Sequence, residues 1–203
     1  FPRGTPLVCA CEKGNLDDVK TFVNAGMDVN QEGEDSFDDK WSPLMAAAKC
    51  EHFQVVDYLI KNGADPNIVD KYEQNALDYA AIYNRTNTEV IDFLLTHMPL
   101  DSINKKNKWA CTSLDCAYHL NKSPIKQKII KLMRSKGALR AQEVDLIKKL
   151  MVACEKGNLD DVKALIQKVN TNNRYISNIM TLKEYVNQEG KDSDGDELTP
   201  LMA

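Results

Sequence analysis

The sequence predicts an all-α solenoid: short antiparallel helix pairs, stacked in a row and joined by extended turns. Three observations carry that prediction. The eleven residues Ala10–Lys20 recur letter for letter as Ala153–Lys163, and Val29–Gly33 recur as Val186–Gly190. Leu7, Leu44, Leu77, Leu114, Leu150 and Leu201 open similar stretches of small and apolar residues, at intervals of 37, 33, 37, 36 and 51. After each of the first five, alanine lies three positions on, at Ala10, Ala47, Ala80, Ala117 and Ala153. Repetition at such periods is the mark of a solenoid, in which one unit cannot bury its own apolar face and must stack on neighbours.

Each unit divides into two helices. The first opens at Thr5-Pro6, Ser42-Pro43 and Thr199-Pro200. A hydroxyl caps the free N–H groups there, and proline sits at the first helical position, where its missing N–H costs nothing. The alanine is small because neighbouring units approach closely at that point. A second amphipathic run follows: Val19–Val23, Val55–Ile60, Val90–Leu95, Ile129–Met133 and Val162–Ile166. Its apolar residues recur at three- and four-residue spacings, so one helix face is buried. Turn-formers such as Asn62-Gly63-Ala64-Asp65-Pro66-Asn67 close it, glycine supplying the left-handed cap.

Thr5-Pro6-Leu7, Gly14-Asn15-Leu16, Ser42–Ala48 and Asn62–Asn67 resemble the ankyrin repeat, whose period is about 33 residues. The resemblance covers nearly the whole chain as a single array. Its units are expected near 4–36, 37–70, 71–106, 107–143 and 144–194, with a partial sixth at 195–203. The later copy of the duplicated segment 10–20/153–163 carries 14 extra residues, inserted near 170–185. The third unit departs from the pattern with Asn75-Ala76 for Thr-Pro and no closing glycine, and the fourth has Thr112-Ser113. The sixth reaches Ala203 partway through its first helix, so the chain is expected to be a piece of a longer one. The opening Phe-Pro-Arg-Gly reads equally as a cloning remnant.

Composition narrows the function classes. Of 203 residues 43% are hydrophobic, enough for a packed core. The apolar runs are far shorter than the roughly 20 residues of a membrane span, and no signal peptide is visible. Net charge is −4, against a bulk-charge nucleic-acid binder. The charge is uneven, −9 over residues 1–100, +8 over 101–149 and −3 over 150–203. Such asymmetry bears on partner choice rather than on fold.

Chemistry-bearing residues mostly have packing explanations. Cys9-x-Cys11 and Cys111-x4-Cys116 lack the C-x2-C spacing of zinc sites. In the repeat frame Cys9, Cys11, Cys116 and Cys154 fall where other units place Ala46, Ala48 and Tyr79, so buried thiols are expected. Asp192–Glu197 resembles the start of a calcium loop, but the sixth position is Glu197 rather than glycine and the twelfth is Ala203 rather than glutamate. His52, His97 and His119 fall at unrelated points of the frame, His52 where ankyrin units commonly have a structural histidine. No catalytic motif is present. Lys105, Lys106 and Lys108, with Lys122, Lys126, Lys128, Lys131, Arg134 and Lys136, would suit phosphate. The second group lies on a helix with apolar Ile125, Ile129, Ile130 and Met133, and most of it reads as a solvated face. No enzyme activity, metal or cofactor is expected.

The ankyrin resemblance implies a protein partner, bound on the concave face through turn tips and the exposed positions of each first helix, and a cytoplasmic location. Nucleic acid is not the expected partner. Placed on the frame, those positions are Asp38, Asp39, Trp41 and Lys49 in the second unit. In the third they are Lys71, Tyr72, Gln74, Ile82 and Tyr83, and in the fourth Lys108, Trp109 and His119. Both tryptophans fall on this set, and tryptophan and tyrosine are over-represented among residues that dominate binding energy. The same resemblance leaves a second reading open, the targeting part of a larger enzyme or effector whose catalytic domain lies elsewhere.

Overall fold

A computed structural model of the chain describes residues 5–34, 40–119 and 123–172, with the side chains of Glu34, His119 and 166–172 outside that description. The chain forms two compact units, residues 1–141 and 142–203. The first holds four helix pairs: α1 (Pro6–Lys13) with α2 (Leu16–Asn24), α3 (Pro43–Lys49) with α4 (Phe53–Lys61), α5 (Ala76–Tyr83) with α6 (Glu89–His97), and, after the one-turn helix α7 (Leu100–Ile103), α8 (Ser113–His119) with α9 (Pro124–Ser135). Between the first two pairs, β1 (Gly33–Glu34) and β2 (Lys40–Trp41) pair antiparallel, Gly33 opposite Trp41. The second unit carries α10 (Ala141–Glu155) and α11 (Leu159–Asn172).

The first helices form one row, α1 on α3, α3 on α5 and α5 on α8, and the second helices form a parallel row, α2, α4, α6, α9. The alanine seam is what permits the first row. Ala10, Ala47, Ala80 and Ala117 are all buried where adjacent helices meet, joined by Ala46, Ala48 and Ala81. Leu7, Leu44, Leu77 and Leu114 lie beneath them, each no more than 1% exposed. Val19, Val55, Leu59, Leu94, Ile129 and Met133 close the core from the second row.

Helix starts follow the sequence closely. Thr5, Ser42 and Ser123 accept from the N–H three residues on, each with proline at the first helical turn. Where Thr-Pro is missing, a reciprocal cap replaces it. Asn75 Oδ1 accepts from Asp78 N–H while Asp78 Oδ2 accepts from Asn75 N–H. Thr112 and Asp115 make the same exchange. This capping box satisfies two otherwise unpaired donors.

Polar bonds tie neighbouring pairs along two edges. At the helix-turn edge, His52 Nε2 lies 3.0 Å from the Glu12 carbonyl, so that nitrogen carries the proton. Glu51, with φ +61°, accepts from Arg85 N–H, Thr86 N–H and the Thr86 hydroxyl. Lys126 crosses from α9 to donate to the carbonyls of Ala81 and Ile82 at the end of α5. It is buried, an exception to the solvated face expected for its helix.

At the other edge three asparagines sit 37 residues apart. Asn30 donates to the Gly63 carbonyl and accepts from Asp65 N–H. Asn104 does the same with Gly137 and Leu139. Asn67 bonds Asp65 in its own turn. The third unit explains this difference, because Met98-Pro99 stands where the others have a glycine turn and α7 takes its place.

Candidate partner-binding surface

The surface is built on two turn tips of the same design. Asp70 Oδ1 accepts from the N–H groups of Tyr72 and Gln74, both at 2.8 Å, and Asp70 N–H donates to the Gln74 carbonyl. Asn107 repeats this with Trp109 at 3.0 Å and Cys111 at 3.1 Å. Each tip needs a left-handed residue, Glu73 at φ +60° and Ala110 at φ +57°. A short polar side chain bonding its own following backbone is the ordinary way to hold such a turn. The tips also touch, Lys108 N–H donating to the Tyr72 carbonyl at 3.0 Å.

Two aromatic groups, one on these tips and one on β2, α3 and α5, each have an ammonium over a ring. Tyr72 and Trp109 stack at 5.1 Å, 22° apart, and Lys71 Nζ lies 5.1 Å from the Tyr72 ring. Trp109 is 58% exposed. In the other group Lys49 Nζ lies 4.0 Å from the Trp41 ring and 5.3 Å from that of Tyr83. Tyr79 sits between the two rings, 4.9 Å from Trp41 and 6.1 Å from Tyr83. Its hydroxyl donates to Asp70 Oδ2 at 2.7 Å, which couples this group to the tip that carries Tyr72. A shallow cleft beside it is lined by Glu32, Lys40, Val69, Asp70 and Lys71. Cation–ring contacts at exposed sites contribute about 0.5–1 kcal/mol each, enough to fix rotamers.

Of the sequence-derived positions, Trp41, Lys49 and Tyr83 come together, as do Lys71, Tyr72, Lys108 and Trp109. Gln74 is buried and belongs to the support of its tip. Ile82 is partly buried against the core. Asp38, Asp39 and the His119 side chain lie outside the described residues, as do the calcium-like segment 192–197, the partial unit 195–203 and the inserted segment beyond Asn172. Three contributors went unnoticed in the sequence: Asp70, Asn107 and Tyr79. The first two carried a signal, an Asx residue four positions before Gln74 and Cys111 in the same register. Tyr118 with Arg140, whose guanidinium carbon lies 5.0 Å from the ring, adds a further cation–ring pair.

The thiols divide. Burial pushes Cys11 and Cys116 up to about 12, which makes them unreactive at neutral pH. Cys9, Cys50 and Cys111 are half-buried, while Cys154, expected to be buried, is exposed. Among the described residues no group of three or more His, Cys, Asp or Glu side chains is placed to hold a metal ion. No helix among them is long and apolar enough to cross a membrane.

Comparison with known proteins agrees with the geometry. A family model described as ankyrin repeats (three copies) matches residues 2–70. The chain is 37% identical over 90 residues to the ankyrin repeat and KH domain-containing protein mask-1 of Caenorhabditis elegans, covering 44% of this chain and 3% of that protein. It is 40% identical over 60 residues to human ankyrin repeat domain-containing protein 40, covering 30% and 16%. It is 29% identical over 98 residues to the phosphocholine transferase AnkX of Legionella pneumophila, covering 48% and 10%. The chain thus spans a small fraction of the length of the relatives it matches. Repeat spacing, alanine-seamed helix pairs and the matched model together make this an ankyrin-repeat protein.

Proposed function

We propose that the chain is a protein-interaction module whose partner seats on the turn tips and the adjoining ends of α3 and α5. The carrying observation is the pair of aromatic groups at Trp41–Lys49–Tyr83 and Tyr72–Trp109, held in place before any partner arrives. Rigid aromatic anchors on a surface lose little entropy on binding, which is how a few residues come to dominate affinity. The proposed contacts are Trp41, Lys49, Lys71, Tyr72, Tyr83, Lys108 and Trp109, with Ile82 at their margin. Asp38, Asp39 and His119 remain proposed contacts from the repeat frame alone, and the units at 4–36 through 144–194 remain the proposed array.

The test compares capture of binding proteins by the unaltered chain with capture by Trp41→Ala/Tyr83→Ala/Trp109→Ala, after circular dichroism confirms folding. A control variant, Lys20→Ala/Gln54→Ala, alters exposed outer-helix positions. A protein retained by the control and lost with the triple variant supports the reading. Equal capture by all three overturns it.

A second reading has a specific support, since relatives include a phosphocholine transferase and, at 39% identity over 75 residues, the palmitoyltransferase AKR1 of Kluyveromyces lactis. In that reading the same surface recruits a substrate for a catalytic domain elsewhere in a longer protein. A captured protein that becomes covalently modified by the full-length protein, and not when the tip residues are replaced, would favour it.

A further inference from the structure

The two tips share one design but not one charge. Both oxygens of Asp70 are engaged, Oδ1 by the N–H groups of Tyr72 and Gln74 and Oδ2 by the Tyr79 hydroxyl, so a carboxylate sits in the first tip beside Lys71. At the equivalent place of the second tip stands Asn107, which holds the same turn without a charge. From Ser102 to Leu114 the chain carries Lys105, Lys106 and Lys108 and no carboxylate. Lys105 and Lys108 are exposed, and among the described residues neither has an ion-pair partner. Two other cations of the same repeat are paired, Lys136 at 3.3 Å from Asp92 and Arg140 at 2.8 Å from Asp115. Lys105 also lies close enough to Asp78, at the start of α5, to favour its charged form.

These ammonium groups border an exposed ring. Trp109 is 58% exposed and stacks on Tyr72, and the backbone of Lys108 joins the two tips. The contacts from Trp41 through Tyr79 to Asp70, and from Tyr72 to Lys108, set the tips and the β1–β2 hairpin in one line. At the hairpin end of that line the charge reverses. Where the chain passes from β1 to β2, Glu32–Asp39 carries five carboxylates and no cation.

We infer that the partner presents an extended acidic segment, laid across the two tips with carboxylates on Lys105 and Lys108, a side chain against Trp109, and its neutral end toward Trp41 and Tyr83. This deepens the tip-binding reading and rests on it. An ammonium has three donors and no acceptor, and its bonds to a carboxylate are stronger than those to a neutral group. Complementary charge sets orientation and encounter rate, and the carboxylates of 32–39 repel an acidic segment laid the other way round. A nucleic-acid strand would need open ring faces for successive bases. Tyr72 offers none, with Trp109 stacked on it and the Lys71 ammonium over it.

The test selects a displayed library of random peptides on the full chain and measures the enriched peptides by the anisotropy of an attached fluorophore. They are expected to be acidic, and to lose about tenfold in affinity with Lys105→Glu/Lys108→Glu or on raising NaCl from about 50 to about 300 mM. Lys105→Arg/Lys108→Arg keeps the charge and should keep the affinity. Lys128→Glu/Lys131→Glu makes the same change of net charge on the exposed outer face of α9 and should alter it by less than about twofold. Neutral or basic peptides that are lost with Trp41→Ala/Tyr83→Ala/Trp109→Ala overturn the inference and leave the tip-binding reading standing. Peptides indifferent to that triple replacement overturn both. Acidic peptides that ignore Lys105→Glu/Lys108→Glu, equal losses with the α9 variant, an empty selection, or tighter binding of single-stranded oligothymidylate at the same residues each overturn the inference.

Discussion

Asp78 and Asp115 occupy the same position, 37 residues apart, in the capping boxes of α5 and α8, yet the fold pushes their acidities in opposite directions. Burial raises Asp78 to about 6, ahead of the donations from the Ser113 hydroxyl and Asn75 N–H that favour its charge, and Asp70 adds repulsion. Burial would raise Asp115 too, but donations from Ala141 N–H, the Arg140 guanidinium and Thr112 outweigh it, and its pKa is lowered. The Arg140 contact, 2.8 Å from Asp115 Oδ1, has no counterpart at Asp78, where Ser113 takes that place.

The two carboxyls therefore oppose each other in pH dependence. Asp78 binds its proton more tightly folded than unfolded. Its contribution is fully present below the unfolded value of about 4 and is lost as pH rises through about 6. Asp115 contributes above its unfolded value and loses that contribution as pH falls through its lowered folded value. Asp78→Asn keeps an acceptor for Asn75 N–H and offers a donor to Ser113, so it should stabilise the chain by about 1–2 kcal/mol at pH 7.5 and by little at pH 4. Asp115→Asn should destabilise by about 1–3 kcal/mol at pH 7.5. Urea unfolding at the two pH values measures both, and equal effects of Asp78→Asn at both would refute the assignment.

Gly14→Ala and Gly157→Ala make a matched pair. Each forces alanine into a left-handed conformation, costing about 1 kcal/mol. Only Gly14 faces a ring, so its replacement also displaces His52 and breaks the bond to the Glu12 carbonyl. The expected losses are about 2–3 kcal/mol for Gly14→Ala and about 1 kcal/mol for Gly157→Ala, compared by chemical denaturation. Indistinguishable losses would mean that His52 yields freely.

Asn30, Asn67 and Asn104 are equivalent in sequence but not in reach. Asn30→Ala and Asn104→Ala each remove two bonds between neighbouring pairs and should cost about 1–3 kcal/mol. Asn67→Ala removes one side-chain bond within its own exposed turn and keeps the backbone donation to Asp65, so its cost should stay within about 0.5 kcal/mol. A ranking with Asn67 at or above the others would contradict this arrangement.

Lys126→Met leaves the Ala81 and Ile82 carbonyls at the end of α5 without their ammonium donor in a buried place. A loss of about 1–3 kcal/mol is expected, with Lys128→Met, two residues on and exposed, as the near-neutral control.

The helix pairs were legible because their signals are local: proline after a hydroxyl, leucine and alanine at fixed offsets, apolar residues at helical spacing. For Trp41 and Tyr83 the repeat frame predicted only membership of one face; Tyr79, between their rings, was not foreseen. That Lys49 joins them depends on the close approach of α3 and α5, which no single stretch of sequence encodes. Cys154 shows the limit most plainly. Its letters match those around Cys11, so the frame predicts burial, but burial is a property of the neighbouring unit. Asp70 and Asn107 were not legible as contributors because each acts by accepting from the backbone of its own turn, a role that many short polar residues in turns share.

Across the first unit, the helix-turn edge is tied by an imidazole at His52, a carboxylate at Glu51 and an ammonium at Lys126. The alanine seam by itself is permissive, and near-identical repeats invite misregister and swapping between chains. A shift by one place would take Lys126 away from the Ala81 and Ile82 carbonyls and Glu51 away from the Arg85 and Thr86 donors. A buried charge left without its partners, as Lys126 would be, is costly. The three dissimilar contacts thus act as an address system, admitting each helix pair only at its own place in the row.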